Sequence, residues 1–289
     1  MGEVITFSRM LTIGLRILAA LLVLYAIAML VAWRFQDRIA FPGPNSRLPS
    51  PADVGIADGQ KVAVVTSDSV ELQGWYLPPN PQPSRDSLAP GLIWFYGNME
   101  TIGDIAPILR DFRPPGIGML VLDYRGYGES GGRPSERGVY RDALAAWSYL
   151  TARPEIDSTR IAVYGRSIGS AVALYLATER PVKAVVLESP FTSGKAMARK
   201  HYALVPTSLV TLRLDNLERA RRLQVPLIVF HGTDDWIAPF EMGRSVAEAG
   251  RAEEFVPFAG AGHNDTYAVG GASYREKVFA FLARHLGRE

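Results

Sequence analysis

The sequence predicts an α/β fold: a mostly parallel central sheet with helices on both faces, a short cap, and an N-terminal transmembrane helix. Three observations predict it. After residue 90, apolar runs of strand length alternate repeatedly with segments of helix length, the rhythm of a parallel sheet covered on both sides. One junction in that rhythm is Tyr164-Gly165-Arg166-Ser167-Ile168-Gly169-Ser170, a Gly-x-Ser-x-Gly pentapeptide between an apolar run and a small-residue helical pattern. Residues 17–33 carry no charge and almost no polarity.

The bulk numbers set the limits. A chain of 289 residues with 48% apolar content suffices for one large α/β domain, or that plus something small. Its 31 basic residues nearly balance 29 acidic ones, and no dense Lys/Arg block appears, so nucleic acid is not an expected partner. Cysteine is absent, which removes disulfides, thiolate nucleophiles and Cys-ligated metals. Imidazole chemistry has four candidates: His201, His231, His263 and His285.

Taken in order, residues 1–40 read as a membrane anchor helix. The charge-free run covers roughly 25 Å at 1.5 Å per residue, the short end of a bilayer span. Leu11, Ile13 and Leu15 lengthen it, since Arg16 can snorkel to the headgroups. Trp33, Arg34 and Arg38 fit an interfacial anchor. A cleaved signal peptide, cut after Ala26-Ile27-Ala28, is the main rival, but the apolar run continues past that site. Arg9, Arg16 and the free amine outweigh Arg34 and Arg38, which Asp37 offsets. By that small margin the positive-inside rule puts the N-terminus in the cytoplasm and the folded domain on the non-cytoplasmic side.

Residues 41–60, rich in Pro, Gly and Asp, read as a linker, and residues 61–289 as the catalytic domain. Runs 61–66 and 70–77 alternate as an antiparallel hairpin about Ser67-Asp68-Ser69. A polar, proline-rich loop occupies 78–90. Strands are then expected at 91–96, 118–122, 160–163, 183–187, 226–230 and 254–258. Helices are expected at 102–112, 139–150, after Ser167, and at 240–249 and 274–286. Residues 189–223 are irregular and form the cap.

In such a sheet, reactive groups gather outside the carboxyl ends of the strands. Ser167 would stand there on a sharp reversal, with the Ile168 N–H pointing where an oxyanion forms. The loop after 91–96 opens Gly97-Asn98-Met99-Glu100, and the Asn98 N–H can pair with that of Ile168. The loop after 226–230 reads His231-Gly232-Thr233-Asp234-Asp235, where either aspartate could orient an imidazole. Gly260-Ala261-Gly262-His263 follows the last strand and supplies that imidazole, in the chain order Ser…Asp…His. Gly126-Tyr127-Gly128-Glu129-Ser130-Gly131 satisfies G-x-G-x-x-G, but it runs into Gly132-Arg133-Pro134 instead of opening a helix, so dinucleotide binding is not expected.

Together Tyr96-Gly97-Asn98, Asp123-Tyr124-Arg125-Gly126-Tyr127-Gly128-Glu129-Ser130, Gly-Arg-Ser-Ile-Gly, His231-Gly232-Thr233-x-Asp235 and Gly262-His263-Asn264-Asp265 resemble the α/β-hydrolase superfamily. The chain is most similar to the branch of serine hydrolases with an N-terminal hydrophobic helix, which includes protein depalmitoylases and lysophospholipid or monoacylglycerol lipases. The likeness covers about residues 60 to 285. It implies the α/β-hydrolase fold, selects Asp235 over Asp234, and assigns Asp123, Arg125 and Ser130 to structure. Where the family often has His-Gly-Asn, Tyr96 stands in place of the histidine, a change that leaves the backbone donors available and bears on how the oxyanion loop is braced.

The expected catalytic set is Ser167, Asp235 and His263, with Asn98 and Ile168 as the oxyanion hole. The implied substrate is an acyl ester or thioester, and no metal or organic cofactor is required. Met99 and, in the cap, Phe191, Tyr202 and Leu209 are the candidate acyl-chain contacts. The cap interleaves such apolar residues with Lys195, Arg199, Lys200, Arg213, Arg219, Arg221 and Arg222. That pattern fits either an ordinary amphipathic pair or a lid facing the lipid bilayer. An aminopeptidase-like enzyme and a silent tethered module are the alternatives. Oligomeric state, acyl-chain length and ester against thioester are not determined by the sequence.

Overall fold

A computed structural model describes residues 2–84 and 87–287. The extreme ends of the expected anchor and domain, the free amine, and residues 85–86 of the expected 78–90 loop lie outside the described residues, as do the side chains of residues 2–6. Eight strands form one sheet: β1 Gln60–Val65, β2 Glu71–Leu77, β3 Ala89–Phe95, β4 Gly118–Leu122, β5 Ile156–Arg166, β6 Ala184–Glu188, β7 Leu227–Gly232 and β8 Glu254–Phe258. Their spatial order is β1-β2-β4-β3-β5-β6-β7-β8. β1 pairs antiparallel with β2, and β2 with β4; every other pair is parallel.

Burial follows position in that order. β4 and β6 are buried at every residue because helices cover both faces, whereas β1 and β8, at the two edges, are largely open. The helices are α1 Gly2–Ala40, α2 Ile102–Asp111, α3 Glu136–Thr151, α4 Ile168–Glu179, α5 Gly194–His201, α6 Asn216–Arg222, α7 Phe240–Ala249 and α8 Thr266–Leu286. Ser135 caps α3 by accepting from Gly138 N. In α4 eight of the twelve residues are buried, and its small residues Gly169, Ser170, Ala171 and Ala173 keep the helix thin enough to lie close beneath β3 and β5.

Two segments differ from the sequence reading. Residues 41–59 are packed down onto the body: Phe41, Leu48 and Ile56 are buried in the core. Three isolated apolar anchors among prolines carry no period, so they leave no strand or helix signature. α8 begins at Thr266, ahead of the expected 274, and breaks at Gly271, whose φ is +50°. The Gly270-Gly271 pair splits the helix, and only the longer second half shows a clear apolar period. The cap folds as α5, a short 3-10 turn at Thr207–Leu209, and α6, with Leu212 and Leu214 buried between them.

Among the described residues one helix, over Phe7–Ala40, is long and apolar enough to cross a membrane. Its C-terminal part touches the domain along a single stripe. Tyr25 OH donates to Leu204 O at 2.7 Å, Gln36 Oε1 accepts from Thr211 N at 2.8 Å, and Ala40 O accepts from Asn98 Nδ2 at 2.8 Å.

Candidate active site

Ser167 follows the last residue of β5 and precedes the first of α4. Its φ of 52° and ψ of −118° are strained for a residue with a Cβ, and that strain turns its side chain off the sheet edge. The reversal requires Gly169, since a Cβ there would strike the Phe95 and Tyr96 carbonyls. Ser167 N donates to Glu188 O at 2.9 Å, and the hydroxyl faces the N-terminal end of α4, where the helix dipole favours negative charge.

Three distant loops meet at this hydroxyl. His263 Nε2 lies 2.8 Å from Ser167 Oγ, and His263 Nδ1 lies 2.7 Å from Asp235 Oδ2. A proton on Nδ1, facing the carboxylate, leaves Nε2 as acceptor for the serine hydroxyl. Gly232 makes the approach possible, since a Cβ there would collide with the Ala261 carbonyl and keep the His263 loop off the end of β7. Asp234 points outward and accepts from the Thr233 hydroxyl at 3.0 Å. Asp235 is 5% exposed, and its Oδ1 accepts from Ile237 N at 3.0 Å and Ala238 N at 2.8 Å. Burial pushes the Asp235 carboxyl up, but hydrogen bonds from His231 and His263 outweigh it and hold the pKa down at about 2. A carboxylate kept charged beside an imidazole lets that ring take up the serine proton.

His231 is the residue that sequence reasoning missed. It lies wholly buried at the end of β7, with Nε2 at 2.8 Å from Ala238 O and 3.1 Å from Asp235 Oδ2. A carbonyl only accepts, so Nε2 carries the proton, and that proton also faces the carboxylate. The four-residue spacing of His231 and Asp235 was the available signal.

Asn98 stands on the loop after β3 and Ile168 is the first residue of α4, and among the described residues neither backbone N–H finds an acceptor. The Asn98 side chain is fully engaged: Oδ1 accepts from Tyr127 OH at 2.7 Å and from Met99 N at 3.0 Å, while Nδ2 holds Ala40 O. Tyr96, in place of the family histidine, braces this loop from below, its hydroxyl donating to Asp123 Oδ1 at 2.8 Å. Asp123 Oδ1 also accepts from Ile102 N at 2.8 Å. Arg166, buried beside Ser167, pairs with Glu100 and so joins the loop after β3 to the elbow. Burial disfavours the guanidinium charge, but Glu100 and Glu188 outweigh it and keep Arg166 charged. Asp123, Arg125 and Ser130 stand in the structural framework: Arg125 pairs with Asp142 and Asp68, and Ser130 OH donates to Asp123 O.

The four proposed acyl contacts are dispersed. Met99 and Tyr202 are exposed, Leu209 is half-buried in the 3-10 turn, and Phe191 is packed in the core.

Residues 91–217 match a family model described as Serine aminopeptidase, S33, a span that holds Asn98 and Ser167 and stops short of Asp235 and His263. An uncharacterised protein of Mycobacterium tuberculosis is 34% identical over 252 residues, 86% of this chain and 88% of the relative. The alpha/beta hydrolase domain-containing protein 17B of Xenopus laevis is 36% identical over 205 residues, 68% of this chain and 67% of that protein. Among solved structures, an esterase of Pyrococcus furiosus superposes with a TM-score of 0.70 at 22% identity, over 85% of this chain and 97% of its own. With this sheet order, this elbow and these relatives, the chain belongs to the α/β-hydrolase family and is a hydrolase.

Proposed function

We propose that the chain is a membrane-anchored serine hydrolase that cleaves ester or thioester bonds of acyl lipids or lipidated molecules through an acyl-enzyme. Supporting this is the hydrogen-bonded run from Ser167 Oγ through His263 to Asp235, at 2.8 and 2.7 Å. In the first half-reaction Ser167 Oγ attacks the carbonyl carbon while His263 Nε2 takes its proton. The carbonyl oxygen gains the negative charge and is met by the Asn98 and Ile168 N–H groups. Collapse of the tetrahedral species expels the alcohol or thiol, which receives the proton from His263. Water then attacks the acyl-serine, His263 accepting its proton and returning one to Ser167. Asp235 orients the ring and faces its cation. α1 holds this site at a bilayer, and of the four acyl-chain candidates the exposed Met99 and Tyr202 are the ones open to a substrate, while Phe191 belongs to the core.

The family description also favours a peptidase reading. A free α-amine would need an unpaired carboxylate at the mouth, and Glu100, on the oxyanion loop, is already taken by Arg166. Hydrolysis of aminoacyl-naphthylamides without hydrolysis of acyl esters would decide for the peptidase. Ser167→Ala is expected to lower kcat/KM on a p-nitrophenyl ester by a factor on the order of 10⁴ or more, and to abolish fluorophosphonate labelling. Unchanged turnover in that variant, with unchanged circular dichroism, removes the proposal.

A further inference from the structure

The apolar side chains left exposed outside α1 are not spread evenly. Met99, Tyr202, Leu204, Trp236 and Val269 lie on segments that follow β3, β6, β7 and β8, and Val65 ends β1 at the same edge of the sheet. Leu204, Trp236 and Met99 are 79%, 71% and 70% exposed, values unusual for residues of their size on a water-facing surface. Among the described residues only Leu88, at the start of β3, stands in this class on the opposite edge. The crowded edge is the one that carries Ser167.

α1 runs along this same edge. Its last carbonyl is held by Asn98, Gln36 by the backbone at Thr211, and Tyr25 by the Leu204 carbonyl. From Ala40 to Tyr25 the axis covers about 22 Å, and from Arg34 to Tyr25 about 13 Å. With Arg34 among the headgroups, Leu204 therefore stands beside a stretch of helix that has already entered the acyl region. α5, just before Leu204, adds Lys195, Arg199 and Lys200, all exposed and without an ion pair among the described residues. Apolar tips with a neighbouring cluster of free cations match an anionic lipid surface, the tips entering about 5–10 Å and the ammonium and guanidinium groups meeting phosphates.

We infer that the loop edge around Ser167, with Leu204 and Trp236 as its deepest points, docks into the anionic surface of the bilayer that α1 enters. The inference rests on the reading of α1 as a membrane helix and deepens the proposed function, because substrate then reaches Ser167 laterally from the lipid without crossing water.

The chain has no cysteine, so single substitutions give single labelling sites. Leu22→Cys, Leu204→Cys, Trp236→Cys and Leu88→Cys, each carrying an environment-sensitive nitrobenzoxadiazole, are reconstituted full-length in equimolar phosphatidylcholine and phosphatidylglycerol vesicles with doxyl-labelled lipid. Circular dichroism checks that each is folded. The expected result is loss of about half the emission or more at positions 22, 204 and 236, with none at 88. Quenching at 22 with none at 204 and 236 overturns the docking and leaves the anchor standing. No quenching at any position overturns both. Equal quenching at 204 in pure phosphatidylcholine overturns the anionic preference, which predicts a fall of about twofold there. Hydrolysis is not read in this experiment, so its failure and that of the serine mechanism are separable.

Discussion

Asp235 receives four donors: the rings of His263 and His231 and the amides of Ile237 and Ala238. That number of donors explains why a buried carboxylate titrates at about 2 despite its desolvation. The sign follows from the depressed value: the stability this group contributes is present above its ordinary 3.8 and is lost as pH falls towards 2. Its charge is therefore intact wherever the imidazole can work as a base. Asp235→Asn is expected to lower kcat by a factor on the order of 10³–10⁴, because the amide can present a donor to Nδ1 and favour the wrong tautomer. Asp234→Asn, on a solvent-facing side chain, should leave kcat within about twofold. Steady-state kinetics on one soluble ester measure both, and the reverse ranking would assign the acid to Asp234. The choice between these neighbours needed the family motif, since a strand end can turn either of two adjacent side chains inward.

At the scale of elements, the loop after β3, which carries the proposed oxyanion donor Asn98, is held from several sides. Tyr96 ties it to β4 through Asp123, Tyr127 and Ala40 hold the Asn98 side chain, and Arg166 grips Glu100. Asp123 is the weak point of this arrangement in energetic terms, since it is fully buried and, among the described residues, has no cation beside it and no partner for Oδ2. Burial pushes its carboxyl up to about 6, against the pull of Ile102 N and the Tyr96 hydroxyl. A raised carboxylate pKa means that its stability contribution is complete below 3.8 and declines as pH climbs to 6, by about 3 kcal/mol in all. Asp123→Asn keeps an acceptor oxygen and should remove that decline in urea unfolding between pH 4 and 6. Tyr96→Phe removes a donor to the buried carboxyl and should cost about 1–3 kcal/mol at neutral pH. An unchanged urea midpoint for Tyr96→Phe would show that the hydroxyl does not brace the loop. None of these partners could be read from the residue order, because each bond joins segments far apart in the chain.

Across the whole molecule, the stripe of contacts from Tyr25 to Ala40 fixes where the hydrolase body sits relative to α1. Among the described side chains, those of α1 ahead of Tyr25 are all exposed, and an uncovered apolar surface of that size is not stable in water. Full-length protein is expected to remain in the pellet after washing membranes with alkaline carbonate, and to be released by detergent. Release by carbonate alone would mean that α1 lies on the surface or is covered by another protein. The long apolar helix is legible because seventeen consecutive uncharged positions need no tertiary information to interpret. The segment 41–59 is not, because its hold on the core depends on three separated side chains finding pockets made elsewhere.

The sequence by itself determined the α/β rhythm, the Gly-x-Ser-x-Gly elbow with its glycines, the order of serine, acid and histidine, and the apolar helix. These are properties of local period and local sterics, written in residues a few positions apart. The tertiary structure alone decided that His231 joins His263 on one carboxylate, that Arg166 holds the oxyanion loop, that Tyr96 braces it, and that α1 lies beside the cap. Each is a contact between groups separated along the chain by anything from four residues to more than a hundred, and its bond length depends on how strands stack side by side. No periodicity encodes that arrangement; only the folded sheet brings those ends together.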